Sequence, residues 1–425
     1  MAAADPTGTI LDYAGSSMFG KPDEPDKQWR KREHEHGVSY ICPWEDPFSG
    51  FPEHARRCAR ALNDAGMHVH LRSSDPKEQW FLGDDGGARV AVREKYADLL
   101  NASIQNYLVE IHQIVPTDTF LQQLVTHRFI DPAMLEHINK YKIVSTVWER
   151  DRISEDAARC LNAVGQCWVA NDHDAEMLSR CGVDKSKLRV VRMPYFPDDP
   201  HLKLNGRKRL PGPPRFVHIG KWEPRKEHRN MLGAFMMAFK PGAAKFYLKT
   251  SSRGPKLEGY PESPDEAIAT WFEDARVRAN GWELKSVNEN IFVIRRKVST
   301  AQIFELHRLA DCYVSLSRGE GFGMPDMDSK LAGNLLVYTP SGGPQAFAGE
   351  LDERVEPTGS IPCHPFYRWG DAHYLDYNVE DAAAALQRAA AKIIDGKRTR
   401  GCDLSHFQAS VVGKKMRANI EELCG

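Results

Sequence analysis

Two short stretches of the chain carry side chains whose types and spacing could do chemistry together. In SRGEGFGMPDMD (317–328) three alternating glycines, Gly319, Gly321 and Gly323, surround one acid, and Glu320 and Asp328 enclose seven residues. Free amides in a loop that opens a helix form an anion seat, and phosphate is the usual anion. The two carboxylates are acceptors suited to hydroxyl groups, so the stretch suits a molecule carrying both phosphate and hydroxyls. In HIGKWEPRKEH (218–228), Lys221 and Lys226 follow an apolar run and can converge on a diphosphate. As a leaving group departs from a sugar, negative charge grows on its phosphate. Fixed cations therefore stabilise the transition state more than the ground state.

The elements that must position these residues are legible around them. An apolar, β-branched run (312–316) precedes the glycine loop, and Pro325 stands where a helix would begin, its fixed φ and missing N–H suiting that place. Gly333 is a helix stop, and a second apolar run follows at 335–338. Strand, loop, helix and strand make one crossover unit of a parallel sheet. A dinucleotide-binding fold would place an acid at the end of the second strand, where this chain has Tyr338, Thr339 and Pro340. A protein kinase would need HRD and DFG strings, and neither occurs.

The same alternation runs along the chain. Strands are expected at 38–42, 67–71, 107–115, 143–148, 167–170 and 189–193, with helices at 52–65, 94–104 and 154–164 among them. After a proline-rich stretch with the basic run Arg207, Lys208, Arg209, strands are expected at 216–219, 246–249 and 291–294. Helices fall at 227–239, 265–279 and 300–310, the last capped by Ser299. Asn378 with Asp381 resembles a capping box for an alanine-rich helix ending at Gly396, and a final helix covers 410–423. The expectation is an α/β protein with two doubly wound Rossmann-like domains facing a central cleft. Its parts are a polar N-terminal arm (1–37), an N-terminal Rossmann-like domain (38–197), a linker (198–214), a C-terminal Rossmann-like domain (215–397) and a C-terminal helical segment (398–425).

Composition narrows the class. The 425 residues hold 57 Lys plus Arg against 58 Asp plus Glu, so no global field draws the chain to nucleic acid or lipid. Nine cysteines without a C-x-x-C pair suggest reduced, buried thiols. No apolar run reaches the length of a membrane span and the N-terminus does not read as a signal peptide, so the expected location is cytoplasmic. His34, Glu35 and His36 read as a solvated turn before a metal site, and His68 and His70 as core or surface histidines. Asp172-His173-Asp174 is formally a D-x-D metal motif, but it follows a strand and opens a helix, where capping explains it better.

The string SRGEGFGMP, with Glu320 and Asp328 at its acid positions, resembles the donor loop of retaining GT-B glycosyltransferases of the group 1 kind. The motif with Lys221 and Lys226 is similar to the same family's phosphate-binding pair, with Lys221 where Arg is usual and Asp328 where Glu is usual. The resemblance spans roughly residues 38–395. It implies that Glu320 contacts donor-sugar hydroxyls, that Asp328 contacts the ribose, and that His112, at the end of a strand, contacts the donor sugar. It places Ser49 and Gly50 against the diphosphate. Arg296 and Val298 fall near the nucleobase, and Gly321, Phe322, Gly323 and Met324 fall in the donor loop. Glu149, also at a strand end, is a candidate acceptor contact. The implied activity is transfer of a sugar from a nucleotide diphosphate sugar (UDP- or GDP-hexose) to an acceptor hydroxyl, with retention and with no metal or other cofactor. The expected acceptor is a glycan or small metabolite. A modified base in DNA or RNA, a nucleotide-sugar epimerase and a non-catalytic nucleotide-sugar binder are the alternatives.

Overall fold

The structure, a computed structural model, describes residues 37–44, 50–74, 86–100, 107–114, 118–125, 132–199, 210–251, 260–271, 278–279, 284–287, 290–364, 370–397 and 403–425. Ser49, the basic run 207–209 and the 34–36 cluster lie outside these residues.

The first domain alternates strand and helix: β1 (Val38–Cys42), α1 (Gly50–Asp64), β2 (Val69–Ser73), α2 (Gly86–Lys95), α3 (Ala97–Leu100), β3 (Glu110–Gln113), α4 (Asp118–Val125), α5 (Pro132–Asn139), β4 (Lys142–Thr146), α6 (Glu155–Ala163), β5 (Gln166–Val169), α7 (Asp172–Arg180) and β6 (Leu188–Val190). Its strands are all parallel, in the order β2-β1-β3-β4-β5-β6. Every residue of β5 is buried, as are four of five in β1 and β4. Near-continuous apolar strands of this kind belong to sheets covered on both faces.

The second domain runs β7 (Arg215–Ile219), α8 (His228–Ala238), β8 (Lys245–Lys249), α9 (Pro264–Trp271), β9 (Arg278–Ala279), β10 (Leu284–Val287), β11 (Ile291–Ile294), α10 (Thr300–Leu309), β12 (Cys312–Ser315), α11 (Met324–Leu331), β13 (Leu335–Tyr338), β14 (Glu353–Arg354), β15 (Pro357–Pro362), β16 (His373–Tyr377) and α12 (Val379–Ile394). Its sheet order is β14-β13-β12-β7-β8-β11-β10-β9, parallel except for the antiparallel edge strands β10 and β9. The expected two-domain architecture of doubly wound sheets is present. A last helix, α13 (Ala409–Cys424), returns to the first domain. Ala409, Val412, Met416 and Ile420 join the first domain's core, and Gly413 lies against the backbone carbonyl of Ala61, where any Cβ would collide.

Three local expectations are corrected. The helix expected at 94–104 is two pieces, because a turn at buried Tyr96 interrupts it and the Tyr96 carbonyl then accepts the amides of Leu99 and Leu100. The helix expected at 265–279 does not reach its end, since Arg278 and Ala279 pair with Ser286 and Lys285 as an edge strand. The Asn378 side chain accepts from the amide of Glu380 at 2.8 Å, so its cap closes one residue earlier than the box with Asp381. Ser299 does form a complete capping box, with Gln302.

One buried ion pair fixes α11 to its sheet. Lys330 Nζ lies 2.6 Å from Asp352 Oδ2, and both side chains are wholly buried. Asp352 also accepts the amides of Leu336 and Gly349. Removing one partner strands the other charge, which is the costly way to break a buried pair. Lys330→Met should therefore destabilise the fold by about 3 kcal/mol, read as a lowered midpoint of urea unfolding.

Candidate active site at the domain cleft

In the second sheet the chain starts at β7, adds β8 and β11 on one side, then returns to place β12 and β13 on the other. The loops leaving β7 and β12 therefore diverge, and a crevice opens at the C-terminal ends of these two strands. The loop after β7 carries Lys221, Arg225 and Lys226. The loop after β12 carries Gly319 to Gly323.

A cluster of buried charge fills this point. Lys226 Nζ is bonded to Glu320 Oε2, and each side chain is only a tenth exposed. Beside them Arg225 donates from Nη1 to the Gly319 carbonyl at 2.8 Å and from Nη2 to Glu149 Oε1 at 2.8 Å. Its Nη1 also lies 3.7 Å from Glu320. The Arg225 carbonyl accepts the amide of Arg318, so one residue holds the glycine loop through backbone and side chain alike. The local cause is a single 3-10 turn, Pro224–Lys226, closed by Glu227 at φ 52°, the one non-glycine at positive φ among the described residues. Arg225 and Lys226 are buried while Lys221 is exposed. Arg225 carries no signal in the sequence beyond its place beside Lys226 after a proline.

Electrostatics follow the packing. Burial alone would raise the Glu320 carboxyl, but Lys226 and then Arg225 outweigh it and hold the pKa below the usual range. Glu149 is pushed up by burial and by Glu320, with Arg225 opposing. His218 points Nδ1 at the Val314 carbonyl, 2.7 Å away, and burial with Lys226 lowers its pKa to about 4, so it stays neutral.

The first domain meets this loop at contact distance. A Cβ on Gly319 would collide with the Glu149 carbonyl, and one on Gly321 would come 2.8 Å from Val147 Cβ. Asn171 caps α7 with its Oδ1 and donates from Nδ2 to the Gly321 carbonyl at 2.7 Å. Gly319 is thus required by the opposing backbone and Gly321 by the opposing Val147 side chain. The amides of Arg318 and Glu320 are taken, by Arg225 and Ser341, whereas those of Gly321, Phe322, Gly323 and Met324 find no acceptor among the described residues. These four lead into α11 and form an anion seat at its N-terminus.

The other expected residues distribute around this centre. Phe322 is buried between the domains, with ring centroids 5.7 Å from Phe347, 6.0 Å from Phe407 and 6.2 Å from His54. Gly50 faces Met324, whose Cε a Cβ would approach to 3.3 Å. Asp328 lies 3.4 Å from Arg57 of α1, so the acid expected at the ribose is paired across the cleft. Burial raises the Asp328 pKa against the pull of Arg57. Nothing in the sequence marked Arg57, which also pairs with Glu53 one turn away and reads as a solvated helix pair. His112, on β3 beside the first sheet's own reversal, has Nε2 3.0 Å from Glu110. Arg296 (exposed) and Val298 (half-buried) follow β11, two strands from β7. In the D-x-D, Asp172 pairs with Arg192 at 2.9 Å and Asp174 accepts the Trp148 amide at 3.1 Å, so the two carboxylates serve separate partners.

No protein-family model matches the chain, and no curated protein matches it by sequence. Solved structures do. The α,α-trehalose 6-phosphate synthase from Burkholderia multivorans superposes at TM-score 0.55 and 10% identity, covering 91% of this chain and 99% of that one. The lipopolysaccharide outer core galactosyltransferase WaaB in its apo form matches at 0.54 and 11%, again over 91% and 99%. Anabaena Alr3699/HepE in complex with UDP matches at 0.50 and 10%, over 91% and 97%. At such identities the likeness speaks to architecture, and the chain has the GT-B fold.

The tight approach of loop to opposing backbone is testable. Gly319→Ala should push the two domains apart at this contact. Amide exchange of residues 147–149 should quicken about tenfold, with a larger radius of gyration in solution scattering. Unchanged exchange there would mean that the contact is not made.

Proposed function

We propose that this chain is a glycosyltransferase that moves a hexosyl group from a nucleotide diphosphate sugar to an acceptor hydroxyl. The observation that carries the reading is the Lys226–Glu320 pair at the second sheet's reversal, beside four amides without acceptors that lead into α11. A diphosphate on those amides meets the helix dipole and the charge of Lys226, with Arg225 behind. Glu320, held ionised, accepts from sugar hydroxyls. As the bond from the anomeric carbon to the phosphate oxygen breaks, the charge growing on that oxygen is met by cations already in place. The acceptor oxygen then bonds the same face of the anomeric carbon, its proton passing to the departing phosphate, and the configuration is retained. No enzyme nucleophile is required by this course.

The fold neighbours support a nucleotide donor, since HepE is described in complex with UDP and WaaB as a galactosyltransferase. A UDP- or GDP-hexose is the donor class, and a glycan or small metabolite the acceptor class. Glu149, carried to the loop by the first domain, is the acceptor-side group best placed to receive a hydroxyl.

A panel of nucleotide sugars tests the reading, first by thermal shift, because a tight ligand stabilises the native state by mass action. Turnover is then read as nucleoside diphosphate released only with acceptor. Isomerised donor would mark an epimerase instead, and stabilisation without turnover a binding protein. Glu320→Ala should cost about a hundredfold in turnover, or roughly 2.7 kcal/mol, measured on the folded fraction because the change also strands the buried Lys226 charge. Since lysine, arginine and helix amides meet the leaving charge, turnover should also survive exhaustive chelation. Loss in EDTA with recovery on adding manganese would return attention to Asp172 and Asp174.

A further inference from the structure

Four acids crowd the glycine loop, and three of them have a cation. Glu320 has Lys226, Asp328 has Arg57 and Glu149 has Arg225. Asp326 has none among the described residues. It lies in the first turn of α11, 2% exposed, and its Oδ1 is buried without a hydrogen-bond partner. The carboxyl lies near the Ser315 side chain and is packed on Gly323, where a Cβ would stand 3.1 Å from Asp326 Cγ. The charged or titratable groups facing it are Glu320 from the loop, Lys226 from the turn after β7 and Tyr313 from β12. Buried carboxylates without a cation are expensive, and the usual outcome is that the group keeps its proton. Burial, then Glu320, moves the Asp326 pKa up to about 8, in line with that geometry.

The position matters because the same helix turn is the anion seat. A second negative charge among those amides would oppose a diphosphate, while a neutral carboxylic acid would not. We propose that Asp326 is a proton-bearing positioning residue of the donor seat, which admits the diphosphate while Asp326 is protonated and excludes it once Asp326 ionises. This rests on the donor reading above. It makes donor capture proton-linked through one side chain.

The test compares wild type with Asp326→Asn, which imitates the neutral acid in the same volume. The probe is the nucleoside diphosphate that the donor panel selects, with its dissociation constant measured from pH 6 to 9. Wild-type affinity should fall at least about fivefold between pH 7 and pH 9 relative to Asp326→Asn. The ligand's own ionisation and that of Glu227, whose pKa burial lifts to about 7, act on both proteins and cancel in the comparison. A second readout needs no ligand. A carboxyl whose native pKa is raised holds a proton that the unfolded chain has lost, so native stability declines as pH rises from about 4 to 8 and then levels. Asp326→Asn should lack that decline, and Asp326→Ser serves if the Asn variant does not fold. Parallel affinity profiles in wild type and variant overturn the inference and leave the donor reading standing. Absence of nucleoside diphosphate binding at every pH overturns both.

Discussion

The site depends on one buried guanidinium. Arg225 leaves water to reach a carbonyl of the glycine loop, a carboxylate of the opposite domain and the edge of a second carboxylate. A charge so placed is tolerable only if it is paired, and the partners it takes fix three segments that are far apart in the chain. The loop must come close enough to offer the Gly319 carbonyl, which brings it against Glu149, and there only glycine fits. The turn must present Arg225 and Lys226 side by side, and Glu227 takes a left-handed backbone to close it. The glycines, the strained acid and the cross-domain pair are answers to one electrostatic demand.

A second cross-domain pair frames the same crevice. Arg57 on α1 meets Asp328 on α11, with the His54 and Phe322 rings stacked nearby. Asp328 therefore carries a protein partner at the position where a hydroxyl-bearing ligand was expected. The contacts that hold the two domains together and the groups suited to a donor are largely the same atoms. Stability of the cleft and readiness of the site are coupled through them.

What could be read from the sequence follows what is local. The parallel strands were legible because burial on both faces leaves continuous apolar runs, as in Leu335–Tyr338. The β15–β16 hairpin was not, because Pro357–Pro362 is almost wholly exposed and has no apolar side to betray it. In the site, Glu320 and Lys226 stood out by type and by their place after strands, and the structure brings them into contact. Of the two lysines expected to work as a pair, Lys221 is exposed and Arg225 stands beside Lys226 instead. That exchange depends on the left-handed Glu227, a conformation that no propensity assigns to glutamate. Arg57 was hidden for a different reason: its partner lies 271 positions away, and only docking of the two domains supplies it.

The return of α13 has a consequence for how the protein is made. The first domain's core includes Ala409, Val412, Met416 and Ile420, so residues 38–190 cannot complete their packing when they leave the ribosome. They wait, with part of that core uncovered, until the whole second domain has been synthesised. Domains usually fold in the order in which they emerge, and exposed apolar surface invites association meanwhile. The second domain has one core cluster between Phe216 and Ile393, but its other face packs with Leu404 and Phe407, so both domains wait for the last segment of the chain.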